Sequence, residues 1–482
     1  MALTDEEQAT FDRLSTRLGR DCKRMRRLDA YYEGDRRLDV LGMAVPPGME
    51  AFVTMVNWPR ITADAPVQRL LPRGFRIGGA AEADAGLWDI WRANGLEAES
   101  TFGHLDAAVM GRGYVVVGSR DPEDAEDGDD DLPLVTVESP LEVTHEFSAR
   151  SRRTTAALRK GKSEPGTMAR AAVEHATLFT PDATIWLERS GTSQGWQEID
   201  RDPHDMGAVL VQPLLNRGRT HQRYGVSEVA DIITLTDAAC RALTNAQLAT
   251  EALAVPQKYA LGVSESDFID PKTGETKTAW ESYYGAVWGL MNDQAKVGQF
   301  SAADLGNFET IVNHYANLVS GSSGLPTRYY GQNTTNPPSE GSIVADEARL
   351  IQNAERMQGE YGATWIWAMR AARRIMDGRW DPSLRRLEML WRNPATPTIA
   401  QEADAVVKLF SARDARGRSL LPLRMARERI GMTEADLKRA ASFDEDDATT
   451  DPVAVGIRGL TDVSGDGPAT DVEPEVVQPG AA

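Results

Sequence analysis

Between Gly341 and Asp377 apolar residues return at intervals of three and four: Ile343, Leu350, Ile351, Ala354, Met357, Tyr361, Trp365, Ala368, Ala372 and Ile375. That spacing predicts one long helix, on the order of 50 Å from end to end. Pro337 and Pro338 bar a preceding helix from running into it. Ser339 is suited to cap its start, and Gly378 to close it in a left-handed turn. The same periodicity predicts helices over 4–28, 84–111, 227–253 and 302–319. The first opens with the capping box Thr4-x-x-Glu7, and Pro256 stops the third. Alternation between turn-forming residues predicts strands over 114–118, 134–137, 141–147, 173–180, 184–188, 196–199 and 387–391. Short helices are expected over 399–412, 421–430 and 434–441. The chain is therefore read as α+β.

The stretch before the long helix is polar: Leu325-Pro-Thr-Arg-Tyr-Tyr-Gly-Gln-Asn-Thr-Thr-Asn-Pro-Pro338. It offers Arg328, Tyr329, Tyr330 and the amides Gln332, Asn333 and Asn336, with Thr334 among them, and no catalytic set. Segment 256–299 lies between two helices and carries aromatic clusters that include Tyr283, Tyr284 and Trp288. Residues 443–482 hold few large apolar side chains among many acids, glycines and prolines, so they are expected to be disordered.

Composition narrows the classes. With 482 residues the chain can bury several cores. No apolar run reaches the ~18–20 residues of a membrane span, and the acidic N-terminus is unlike a secretory leader. A cytosolic site of synthesis is expected. The net charge is −19, from 72 acids and 53 bases, which argues against a tight, sequence-independent nucleic-acid binder. It leaves room for a surface that touches DNA without holding it. The two cysteines, Cys22 and Cys240, cannot form a disulfide framework.

Candidate chemistry is sparse. The acidic loop Asp121 to Asp131 fails as a calcium loop, because Ala125 and Leu134 stand where ligands are needed. It reads instead as the link of a β-hairpin. Ala156-Ala-Leu-Arg-Lys-Gly-Lys-Ser163 approaches a phosphate-binding loop, but Ala156 replaces the first glycine and no helix follows. The six histidines show no metal-ligand spacing. No metal, cofactor or catalytic residue is assigned.

Several stretches in order resemble the portal, or head-to-tail connector, proteins of tailed bacteriophages, most of all those of phages infecting actinobacteria. They are Tyr31-Tyr-Glu-Gly34, Val56-Asn-Trp-Pro-Arg60, Arg73-Gly-Phe-Arg-Ile77 and Asp106 to Val116. Further along come Pro213-Leu-Leu-Asn216, Tyr224-Gly-Val-Ser-Glu228, Asn336-Pro-Pro-Ser-Glu340, Trp391-Arg-Asn-Pro394 and Ala403 to Lys408. The resemblance implies a subunit with a wing over 1–226, a stem helix over 227–255, a clip over 256–299 and a second stem helix over 300–320. A tunnel loop over 321–340, a spine helix and wing strand over 341–396, and a helical crown over 397–442 would follow. It implies a homo-oligomeric ring, a dodecamer in most cases, at one capsid vertex of the virion, assembled in the host cytoplasm. Double-stranded DNA would pass through the ring, touching Arg328 to Asn336 transiently. Terminase and the head-completion adaptor would dock on the clip through Tyr283, Tyr284 and Trp288, with capsid and scaffolding proteins as further partners. An ATPase or nuclease subunit of the same machine, or a non-channel capsid or adaptor protein, remains the alternative.

Overall fold

The first helix, α1 (Asp5–Glu33), begins where the sequence places it. The Thr4 hydroxyl accepts from the Glu7 amide, and the Glu7 carboxylate accepts from the Thr4 amide. Arg201 also holds that carboxylate, which lowers its pKa to about 2. The helix passes its expected end at residue 28 because Tyr31 continues the buried stripe; Gly34, at φ 79°, then closes it. In a computed structural model, residues 3–35, 54–80, 83–120, 132–162, 173–190, 195–253, 258–262, 269, 296–299, 305–332, 340–395, 399–414, 416–430, 432 and 434–450 are described. The chain packs as two units, residues 1–394 and 395–482.

In the first unit, α2 (Trp58–Val67) leads to β1 (Pro72–Ile77). The single helix expected over 84–111 is two, α3 (Ala85–Ala93) and α4 (Leu96–Met110). Gly95 at φ 60° breaks them, a conformation that a side chain would oppose. The expected hairpin forms: β2 (Arg112–Gly118) pairs antiparallel with β3 (Leu134–Glu138), and β9 (Val211–Leu215) flanks β2 on the other side. Its loop, 121–131, lies outside the described residues.

A five-stranded antiparallel meander runs in chain order through β4 (Val143–Ser148), β5 (Arg153–Lys162), β6 (Val173–Phe179), β7 (Ala183–Ser190) and β8 (Gln197–Pro203). The apparent phosphate loop is part of β5, bonded on both sides. Its Ala156 and Leu158 join Phe11, Leu14, Leu178 and Ile185 in one core, which seats α1 on the sheet.

The long helix, α7 (Glu340–Asp377), has its predicted extent, and Gly378 is left-handed at φ 67°. Leu350, Ala354, Met357, Tyr361, Trp365, Ala368 and Ala372 form its buried stripe. The Trp365 indole donates to His104 Nε2 at 2.9 Å; burial lowers the His104 pKa to about 3, so the ring is neutral. After α7, β12 (Leu387–Trp391) comes back to the residues 1–226 expected to form the wing, but not to either of the larger sheets there. It pairs with β1 in a ribbon of its own, because the turn at Pro382–Arg386 sets Leu387 beside Ile77.

Three further expectations shift. Of the two helices expected on either side of segment 256–299, the first starts late, as α5 (Ile233–Leu253), because residues 227–232 turn to reach α4: the Glu228 amide donates to Ala108 O at 2.8 Å. The second, α6 (Gly306–Ser323), packs along α5 and ends later than expected, at left-handed Gly324. Between them, β10 (Lys258–Leu261) and β11 (Lys296–Gln299) pair antiparallel and close the base of the inserted segment. The second unit holds α8 (Ile399–Ser411), α9 (Leu423–Arg429) and α10 (Glu434–Thr450) around Val406, Leu421 and Ala426. Residues 443–450, expected in a disordered tail, belong to α10, where Asp444 pairs with Arg427 of α9.

A carboxyl on α4 carries a testable pH dependence. Burial, with a smaller push from Asp29, raises the Asp106 pKa from 3.8 to about 6 against a hydrogen bond from Ser139. A raised acid pKa means that the protonated form suits the fold. The stability it contributes is complete below 3.8 and is lost as pH rises through about 6. Asp106→Asn should therefore be more stable than the parent at pH 8, by about 1–3 kcal/mol, with the gap closing at pH 4. Thermal melts across that range check it.

Candidate functional site

The polar connection between α6 and α7 is anchored at its root. Gly324, at φ 78°, turns the chain out of α6, and Arg349 of α7 reaches back to Gly321 O at 3.1 Å. Pro326 then starts a single 3-10 turn, Thr327–Tyr330, closed by left-handed Gly331. So the expected 321–340 loop is helical at both ends and contains a turn.

Tyr330 is a correction to the sequence reading. Its side chain is 6% exposed, packed edge-on against Trp58, with its hydroxyl within 2.9 Å of Thr62 and 2.8 Å of Ser323. It pins the loop to α2 and α6 and presents no surface of its own to a ligand. Tyr329 is half-buried against the same core, beneath the Arg328 guanidinium at 5.7 Å. Gln332 donates to Asn313 O on α6 at 2.6 Å. Asn333, Thr334 and Asn336 lie outside the described residues, as do Tyr283, Tyr284 and Trp288.

Arg328 has carboxylate partners. It pairs with Glu347 on the first turns of α7 and stands 3.7 Å from Asp346. The other Glu347 oxygen takes Arg69 at 3.0 Å, and Arg69 also donates to Pro394 O at 2.7 Å. Glu347 thus joins the loop, the end of α2 and the start of α7. A guanidinium held by carboxylates still exposes donor edges, but part of its charge is neutralised.

Sequence reasoning missed a second polar centre, deeper in the unit. Glu228, 2% exposed at its side chain, receives Arg217 at 2.8 Å and Arg356 at 2.9 Å. Asn216 Nδ2 donates to it at 3.0 Å, and the Arg217 amide donates to Glu360 at 3.1 Å. Arg217 takes a left-handed φ of 50°, unusual for a side-chain-bearing residue and held by these bonds. The signal was present: Asn216 and Glu228 each end an otherwise mostly apolar motif. Among the described residues no group of three or more His, Cys, Asp and Glu could hold a metal ion. None of their helices is long and apolar enough to cross a membrane. What the connection offers is reversible polar contact on a rigid base.

Comparison with known proteins agrees with this architecture. Residues 12–448 match the family described as Phage portal protein, SPP1 Gp6-like. The portal protein of Mycobacterium phage D29 is 36% identical over 423 residues, covering 87% of this chain and 84% of the relative. That of Mycobacterium phage L5 is 35% identical with the same coverage. Phages of actinobacteria are the group to which the ordered motifs point, and the chain belongs to the SPP1 Gp6-like family of phage portal proteins.

Proposed function

We propose that this chain forms a ring at one capsid vertex, through which double-stranded DNA is packaged by a docked terminase and later leaves. Head-completion and tail proteins would attach to the same ring. Among the channel-loop candidates, the part that meets DNA is the α6–α7 connection beyond its anchored base, with half-buried Arg328 and Gln332 at its described end. The observation that carries this is the anchoring of that connection: Tyr330 and Glu347 fix its base, while Arg328 and Gln332 stay half-buried and open in part to solvent. Contacts of this kind are individually weak and re-form easily along a moving polyanion. A row of unpaired lysines and arginines would instead release many counterions and grip. The antiparallel pair α5 and α6, with the β10–β11 hairpin at the base of the intervening segment, supports a stem carrying a clip for terminase and adaptor.

Arg328→Ala tests the channel assignment. Assembly measured by native mass spectrometry should be unchanged, since Glu347 keeps Arg69. DNA packaged or retained per particle should fall several-fold. Normal packaging by this variant and by Gln332→Ala would sink the assignment.

A further inference from the structure

A cleft of about 910 Å³ opens between β9, the turn before β5, the C-terminal half of α7 and the segment after it. Five arginines line it: Arg152, Arg153, Arg223, Arg370 and Arg385. None of the five forms an ion pair with a described carboxylate. The two carboxylates in the lining are already engaged, Glu360 by Arg356 and Asp381 by Ser383. In a chain of net charge −19, five guanidinium groups without an ion pair among the described residues, against two carboxylates in the same lining, suit an anionic partner. Trp367 and Trp380 add aromatic faces beside the charge.

The complementary surface is on the same chain. Phe102 of α4 is 58% exposed. Glu99 and Asp106 lie three residues before and four after it, on the same helical face. Burial raises the pKa of Asp106 and of Glu138, with smaller pushes from Asp29 on the first and from Glu142 and Glu99 on the second. Among the described residues their one paired cation is Arg159, shared by Glu138 and Glu142. Glu138 belongs to β3 and the cleft to β9, and the sheet order β3-β2-β9 puts these at opposite edges. A head-to-tail ring contact requires two different, complementary surfaces on one subunit, and by charge the cleft and the Phe102 face are such a pair.

We propose that the arginine cleft of one copy of this chain receives the Phe102 face of α4 from the next copy. The inference rests on the ring reading above and assigns its contact residues. Carboxylates of one copy would meet guanidinium groups of the other, and the Phe102 ring would lie against tryptophan or arginine planes. Nucleic acid fits the cleft less well. Glu360 and Asp381 would repel phosphates but can accept peptide N–H groups, and the volume suits side chains rather than a duplex.

Charge exchange tests the pairing. Self-association of the full chain is followed by sedimentation over a range of concentrations and by native mass spectrometry. Arg153→Glu with Arg385→Glu should weaken association at least tenfold, and so should Glu99→Arg. Combining the three should recover it, because every contact then joins a reversed cleft to a reversed face. Phe102→Ser, at an exposed position, should weaken association without changing the melting of the monomer, which separates interface loss from misfolding. If the parent chain forms rings and the variants do too, or if the combination fails to recover, this contact is wrong and the ring stands. The contact is equally wrong if the reversals spare self-association but abolish binding of another protein. A parent chain that stays monomeric at every concentration would remove the ring reading and this contact together.

Discussion

Glu228→Ala is expected to destabilise residues 1–394 by about 3–5 kcal/mol, the usual loss when one partner of a buried ion pair is removed. Two guanidinium groups, of Arg217 and Arg356, would lose their shared counter-charge. Arg356 keeps Glu360 and Arg217 keeps Asp231, but the Asp231 pair is largely exposed and contributes little. The Asn216 amide would lose an acceptor at the same time. Because Arg217 already sits in a left-handed conformation, weakening its bonds also frees the backbone to relax. Urea unfolding followed through the tryptophans, among them buried Trp91 and Trp365, measures the effect. An unchanged midpoint would show that α7 is held to this region by apolar packing alone.

Gly225→Ala should be more severe still, with a loss exceeding about 4 kcal/mol or no folded protein at all. Three backbone segments cross at this point: the Asn216 amide donates to Gly111 O, and the Val226 amide donates to Asn216 O. A Cβ on Gly225 would come within 1.8 Å of Gly111 O and 2.8 Å of the carbonyl carbon. Backbone held by its own hydrogen bonds cannot move aside. Gly207→Ala is the matched control, since Gly207 is also left-handed, at φ 59°, but has nothing within 4 Å of the added carbon. It should cost only about 1–2 kcal/mol, the conformational penalty by itself. If both variants melt alike, steric closure at Gly225 is not what holds the crossing together.

Both sites lie in stretches that the sequence marks without explaining. Asn216, Tyr224-Gly-Val-Ser-Glu228 and Gly111 belong to the family-bearing motifs, and the structure brings them to one crossing beside α7. No periodicity could have done so, because the contacts are polar and Gly111 and Arg356 lie more than 100 residues from both Asn216 and Glu228. The early turn-out at 227–232 has the same cause: Glu228 bonds Ala108 where a helix was expected to have begun.

The candidate channel loop divides in a similar way. Its polarity, its single Arg328 and its place before a long helix were legible in composition. That Tyr330 is a core anchor was not, since a tyrosine among amides reads as polar until Trp58, Thr62 and Ser323 are seen around it. Nor was the hold of Glu347 on Arg328, one pair among many possible in a chain with 72 acids.

The sequence by itself determined the elements whose causes are local. The capping box at Thr4 and the stripe and closing glycine of α7 depend on neighbours a few residues away, and the β2–β3 hairpin joins strands that follow one another in the chain. The tertiary structure alone decided which strand β12 pairs with, where α5 begins, that Ala156 to Lys162 is a strand, and which of the described charges pair with one another. Those outcomes depend on groups distant in the chain competing for the same hydrogen bonds and the same buried space. That competition is settled only when the whole unit packs.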